Sequence, residues 1–245
     1  MIKSLSIIFP VFNEKLRLKS SFNHILNFLK NEKKFKIEII FVDDGSRDNS
    51  YSLINQFIKN FKNLKKNNKI KFQVIKSKKN LGKGAALKLG VKKARHDWIL
   101  TTDIDMSVSL FQICNWIEKK LINKKHFVYF GTRKHKKSIV EANFIRKILG
   151  SVMCLLTNIV LNIKIKDTQC GYKLYKKTLA RPIFFKMKDC GFNHDLEIIL
   201  LLKTKNIKIK ELPVKWIHKD NSRLNIFWDP IKMFVGILFM KFRYF

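Results

Sequence analysis

An alternation in the sequence constrains the fold more than any other feature. Short apolar runs are separated by longer segments whose apolar residues recur at helical spacing. The runs are Leu5-Ser6-Ile7-Ile8-Phe9, stopped by Pro10, then residues 37–42 (IEIIFV), 70–75, 98–102 and 127–130. The segments between them, 14–30, 49–62, 82–95 and 111–122, read as helices; the first carries Leu16, Phe22, Leu26 and Leu29 at helical spacing. Such alternation predicts an α/β fold, a Rossmann-like, mostly parallel sheet flanked by helices. The second half reads differently. A helix with a broad apolar face is expected over 143–163, another helix over 195–203, a strand over 207–214, and an apolar, aromatic tail over 227–245 interrupted by Lys232, Lys241 and Arg243. No linker rich in Pro, Gly or Ser interrupts the chain. One domain over 1–225 followed by an amphipathic segment over 226–245 is the expected organisation.

The chain of 245 residues carries a formal charge of +33, and only eight of its 51 cationic residues are arginine. Abundant Lys, Asn, Ile and Phe together suggest drift toward A·T-rich codons. A field of this strength also attracts polyanions, either nucleic acid or an anionic membrane face. With 46% apolar residues the chain has the content of a globular domain and not of a disordered basic tail. Cys114, Cys154, Cys170 and Cys190 form no C-x-x-C pair and stand near no histidine cluster, which argues against structural zinc and a disulfide framework. The apolar run before Pro10 is too short for a signal peptide, and no stretch of about 18 apolar residues predicts a transmembrane helix.

Ligands of open α/β sheets bind outside the carboxyl ends of the strands. Three polar clusters fall there: Pro10-Val11-Phe12-Asn13-Glu14, Asp43-Asp44-Gly45-Ser46 and Asp103-Ile104-Asp105. Each alone reads equally as a loop with a helix cap. Asp103 and Asp105, at i and i+2 past a strand, suit one hard cation, Mg2+ or Mn2+, whose other positions go to diphosphate oxygens and water. The turn Asn80-Leu81-Gly82-Lys83-Gly84 lacks the G-x-x-x-x-G-K-[ST] pattern. It opens a helix, and it reads equally as a turn that brings N–H groups near a nucleotide phosphate and as a simple helix start.

The ordered set FPVFNE, VDDGSRD, NLGKGAAL, TTDID, GTR, DTQCGYKLY, FNHDLE and ELPVKW resembles the family 2 glycosyltransferases of the GT-A fold. It is most similar to their dolichyl-phosphate β-glucosyltransferase and polyprenyl-phosphate glycosyltransferase branch. The resemblance runs from Leu5 to about Asp229. It implies that Pro10, Phe12, Glu14, Val42 and Asp44 contact the base and ribose of a nucleotide-sugar, with Lys83 nearby. It implies that Asp103 and Asp105 bind the metal beside the backbone of Ile104. Arg133 and Arg146 match residues that grip the acceptor phosphate. Lys173 sits at a basic position, Arg223 near the diphosphate, and Asp195 and Glu197 at a positioning element. The chain departs from the pattern at Gly150-Ser151, at His194 before Asp195, and at Phe12 in place of a commoner tyrosine.

An acceptor that is already an anionic phosphate needs no strong general base. The protein must instead hold two anions in line, which calls for a metal and for cations. Arginine suits the task because its planar fork binds phosphate. The expected reaction moves a sugar from a nucleotide-sugar onto a polyprenyl phosphate with inversion. UDP-glucose is the favoured donor and GDP-mannose its alternative. The enzyme would be peripheral on the cytoplasmic, anionic face of a membrane. The competing readings are a soluble family 2 transferase acting on a polysaccharide or other acceptor, and a basic nucleic-acid-binding protein, for which no recognised motif speaks.

Overall fold

In the computed structural model, residues 2–64, 69–141, 144–191, 193–219 and 228–244 are described. The chain runs β1 (Ser4–Val11), α1 (Lys15–Asn31), β2 (Lys36–Asp43), α2 (Ser50–Leu64), β3 (Ile70–Lys76), α3 (Lys83–Lys93), β4 (Trp98–Thr101), α4 (Gln112–Glu118) and β5 (Val128–Thr132). It continues through β6 (Ile139–Glu141), α5 (Phe144–Val160), β7 (Lys173–Lys176), α6 (Lys177–Lys186), α7 (His194–Thr204), β8 (Lys210–Pro213), β9 (Lys215–Ile217) and α8 (Trp228–Tyr244). Seven strands form one sheet in the order β3-β2-β1-β4-β7-β5-β8, and β6 pairs with β9 alongside it. Every neighbour in the large sheet is parallel except β7, which runs antiparallel to both β4 and β5.

Buried parallel strands are apolar on both faces, which explains why β1 and β2 read as nearly continuous hydrophobic runs. Successive side chains then divide between two cores. Ile7, Phe9, Ile39 and Phe41 enter the one beneath α1 and α2, whereas Ile8, Ile40 and Val42 enter the one beneath α3, α6 and α7.

Local departures from the sequence reading have physical causes. On α1, Leu18, Ile25, Phe28 and Leu29 face the core. Leu16 instead stands in solvent at 83% exposure, and Leu26 is also exposed. The apolar stripe is therefore rotated from the one the spacing suggests. Helix α4 stops at Glu118, four residues early, because Lys120 takes a left-handed conformation (φ 53°) and Leu121 N–H closes back onto the Trp116 carbonyl. The expected strand over 207–214 is shorter and is followed by β9. Strand β7 and helix α6 lie where the sequence shows only a motif, since a four-residue strand carrying two lysines has no clear period.

Candidate active site

In the sheet order, β1 lies between β2 and β4, so the crossovers leave it in opposite directions. That switch point opens a crevice at the strand carboxyl ends. A cleft of about 810 Å3 lies at the carboxyl ends of β1, β2 and β3, lined by Phe12, Asn13, Gly45, Ser46, Arg47, Lys76 and neighbours up to Asn80. Its volume falls in the ~300–1,000 Å3 range of ligand pockets.

Two loops shape the cleft. Asn13, in a left-handed conformation (φ 52°), accepts the Arg47 N–H at 2.6 Å with its Oδ1, and its own N–H donates to Ser46 Oγ at 2.8 Å. The Glu14 N–H donates to Ser50 Oγ at 2.7 Å, and the Glu14 carboxylate pairs with Arg17 at 3.2 Å. These bonds lock the turn after β1 to the turn after β2. Pro10 is half-buried opposite Val42 in the register, while the Val42 side chain is fully buried in the core and stays below the crevice floor. Asp43 is wholly buried, and neither of its carboxylate oxygens has a hydrogen-bond partner among the described residues.

Asp44 accepts the N–H groups of Leu81 at 3.0 Å and Gly82 at 2.7 Å. The N–H groups of Gly84 and Ala85 go to the Cys190 carbonyl at 2.8 and 3.3 Å. Of the two readings of the Gly-Lys-Gly turn, the helix start agrees with these bonds, because four N–H groups there are already taken. The turn presents Lys83 instead. The backbone approach is close: a Cβ on Gly82 (φ 100°) would stand 2.3 Å from the Cys190 oxygen.

Lys83 Nζ lies 2.6 Å from Asp103 Oδ1. Burial works against the lysine's charge, but Asp103, Asp195 and Asp105 outweigh it and hold its pKa above the ordinary value. Asp105 accepts the Ser107 N–H at 2.9 Å. Its pKa is raised, first by burial and then by the neighbouring Asp103 charge. Ile104 puts its side chain in the core, and its carbonyl accepts the Ser21 hydroxyl of α1. Gly171 backs the pair, since a Cβ there would sit 2.2 Å from Asp103 Oδ2. Among the described residues no group of three or more His, Cys, Asp or Glu side chains is arranged to hold a metal.

A second charged set closes the far side. Asp195 Oδ2 lies 2.7 Å from Lys173 Nζ, and Asp195 Oδ1 lies 3.2 Å from His194 Nε2. The His194 Nδ1–H donates to the Gly191 carbonyl at 2.7 Å. Burial alone would raise the Asp195 pKa, but His194, Lys173 and Lys83 drive it far below the usual carboxylate range. Lys173 is 1% exposed and also lies over the Phe130 ring. Its ammonium is enclosed, and its pairing fixes Asp195. Lys83, Thr102, Asp103, Gly171, His194 and Asp195 line one small pocket.

Arg133, just past β5, binds Asp167 through Nε at 2.7 Å and Nη2 at 2.8 Å. Burial opposes its charge, yet the Asp167 hydrogen bonds and carboxylate hold its pKa above the ordinary arginine value. Asp167 has no role in the sequence reading, although it opens the D-T-Q-C-G-Y-K segment. Glu197, fully buried, accepts the N–H groups of Lys188 and Asp189 with Oε2 and the Tyr244 hydroxyl of α8 with Oε1. The side chain of Arg146, on α5, and the whole of Arg223 lie outside the described residues.

A GT-A-type sheet with a carboxylate pair at its switch point defines a class. The chain belongs to glycosyl transferase family 2, whose family model, "Glycosyl transferase family 2", matches residues 6–184. It is a glycosyltransferase, similar along nearly its whole length to dolichyl-phosphate beta-glucosyltransferases. The one from Dictyostelium discoideum is 33% identical over 250 residues, covering 98% of this chain and 74% of the relative. The human one is 30% identical over 253 residues, covering 99% and 76%. Among solved structures, glucosyl-3-phosphoglycerate synthase from Mycobacterium tuberculosis, in complex with Mn2+, UDP and glucosyl-3-phosphoglycerate, superposes with a TM-score of 0.68. That match is 13% identical and covers 98% of this chain and 80% of the other, so it speaks to the fold.

Proposed function

We propose that this enzyme transfers glucose from UDP-glucose to a polyprenyl or dolichyl phosphate at a membrane surface, with inversion and with a divalent ion. The observation that carries the reading is the pairing of Lys83 with Asp103 at 2.6 Å, which sets a cation on the carboxylate pair beside a nucleotide-sized cleft. The names of the relatives support glucose and dolichyl phosphate as substrates.

The donor set fits Mg2+ or Mn2+. Asp103 and Asp105 are hard oxygen ligands, Gly171 leaves room for the Asp103 carboxylate, and Lys83 stands in for positive charge. Such an ion supplies charge neutralisation at a leaving diphosphate. The protein's own residues do the remaining work. The turns carrying Phe12 and Asn13 and those carrying Ser46 and Arg47 hold the base and ribose, with Pro10, Glu14, Val42 and Asp44 as their frame. Lys83 meets the diphosphate. Arg133 meets the acceptor phosphate, joined by Arg146, and Arg223 faces the diphosphate. Asp195, fixed by Lys173 and His194, sets the electrostatic field behind the reacting centre. Attack from the face opposite the leaving group inverts the anomeric carbon.

The membrane reading rests on α5 and α8, which pack against each other. Ile237 and Met240 of α8 enter the core. Leu155 and Ile159 of α5 and Phe239 and Phe242 of α8 are 61–86% exposed. With Lys241 and Arg243 beside them, these side chains suit a helix lying in the interface plane. Among the described residues no helix is long and apolar enough to cross a membrane. Segment 226–245 is thus read as the interfacial extension of the domain over 1–225.

The test is a donor screen with purified protein, Mg2+ or Mn2+, and a short polyprenyl phosphate. Radiolabelled glucose from UDP-glucose should enter an organic-extractable product. Label only in water-soluble product would favour a soluble acceptor, and preference for GDP-mannose would correct the donor.

A further inference from the structure

Arg133 is fixed from two sides. Asp167 takes the edge formed by Nε and Nη2, and the guanidinium carbon lies over the Trp216 ring, 5.6 Å from its centroid. The outer edge, made of Nη1 and the second N–H of Nη2, has no carboxylate partner among the described residues, and the side chain is 32% exposed. A bidentate carboxylate fixes where the fork points in its own plane. It leaves the tilt of that plane free, and an aromatic face within cation–π range on one side favours one tilt over others.

Trp216 is itself held from several directions. It pairs with Val140 in the β6–β9 register and bridges to Val108. His218 stacks on its ring at 5.8 Å and 27°. The next residue, Ile217, donates its N–H to the Ser107 carbonyl at 2.9 Å, and the Ser107 N–H donates to Asp105 Oδ1 at the same distance. The ring therefore stands where the backbone behind the Asp103–Asp105 pair meets the guanidinium. Nothing in the reading of ELPVKW as a family motif accounts for this placement.

We propose that Trp216 is a positioning residue for the acceptor anion, setting the tilt of Arg133 so that its open edge meets the acceptor phosphate. The proposal rests on the reading of Arg133 given above. It makes acceptor binding depend on a side chain that touches neither substrate.

Steady-state kinetics on the full chain test it, with UDP-glucose and a short polyprenyl monophosphate as substrates. Losing a partly desolvated cation–π contact corresponds to a rise of roughly five- to tenfold in acceptor KM for Trp216→Leu. KM for UDP-glucose and kcat at saturating acceptor should stay within about twofold, a split that general loosening of the fold does not produce. Trp216→Phe keeps a ring face and should recover most of the loss, leaving roughly a twofold rise, since the weaker face still stacks. If Trp216→Leu does not fold, Trp216→Phe decides alone, and an unchanged acceptor KM in it overturns the proposal. A parallel rise in both KM values overturns it too. Arg133→Ala separates the two layers. If that variant raises acceptor KM and Trp216→Leu does not, the positioning role fails and the Arg133 reading stands. If Arg133→Ala leaves acceptor KM unchanged, both fail.

Discussion

At the scale of single residues, the crevice works by placing carboxylates where they are either neutralised or made reluctant to ionise. Asp105→Ala should lower kcat/KM by about a hundredfold or more, through loss of the proposed metal ligand, while the far-UV circular dichroism stays native. Gly171→Ala drives a methyl into Asp103 Oδ2, 2.2 Å from the ideal Cβ. It should cost at least about tenfold in activity and roughly 1–3 kcal/mol in stability, read by kinetics and by urea unfolding. Lys173→Met leaves Asp195 buried without its ammonium and should destabilise by about 3–5 kcal/mol. The two carboxylates also separate in pH. Burial and then the neighbouring Asp103 charge raise the pKa of Asp105. Asp195 has a depressed pKa, so the stability it contributes is present above its unfolded value and is lost only as pH falls through the lower folded one.

At the scale of elements, α5 and α8, the helices proposed to meet lipid, make the sharpest prediction. Phe239→Glu with Phe242→Glu removes two exposed aromatic side chains of α8 without touching Ile237 and Met240 in the core. Co-sedimentation with anionic vesicles should fall several-fold, while transfer to a short, detergent-dispersed acceptor changes little. Equal vesicle binding would place the contact elsewhere. Elements also show what a sequence discloses. β1 and β2 were legible because strands buried on both faces leave runs such as IEIIFV. The Asp103–Asp105 pair was legible because it follows such a run directly. The exposed Leu16 on α1 was not, since spacing alone does not fix which stripe of a helix turns inward. Nor was the engagement of the Leu81, Gly82, Gly84 and Ala85 amides, which depends on Asp44 and on Cys190, about a hundred residues away. The Arg133–Asp167 pair is hidden for the same reason: its partners are 34 residues apart and meet only through the sheet.

At the scale of the whole molecule, a charge of +33 acts on any polyanion within a Debye length. Vesicle binding should weaken steeply between about 0.05 and 0.5 M salt, and the residual binding at high salt should track the apolar ridge of α5 and α8. The reversed strand has a different consequence. β7 sits between β4 and β5 although the ribosome completes it after both. Until residue 176 emerges, β4 and β5 each keep a bare margin of unpaired amides and carbonyls, because neither finds the other as a neighbour. The quartet β3-β2-β1-β4 closes on contacts already made, whereas β5 waits for β7 on one side and for β8 on the other. Pulse-labelled hydrogen exchange during refolding should therefore protect the amides of the first hundred residues before those of β5, which dates the order of assembly from topology alone.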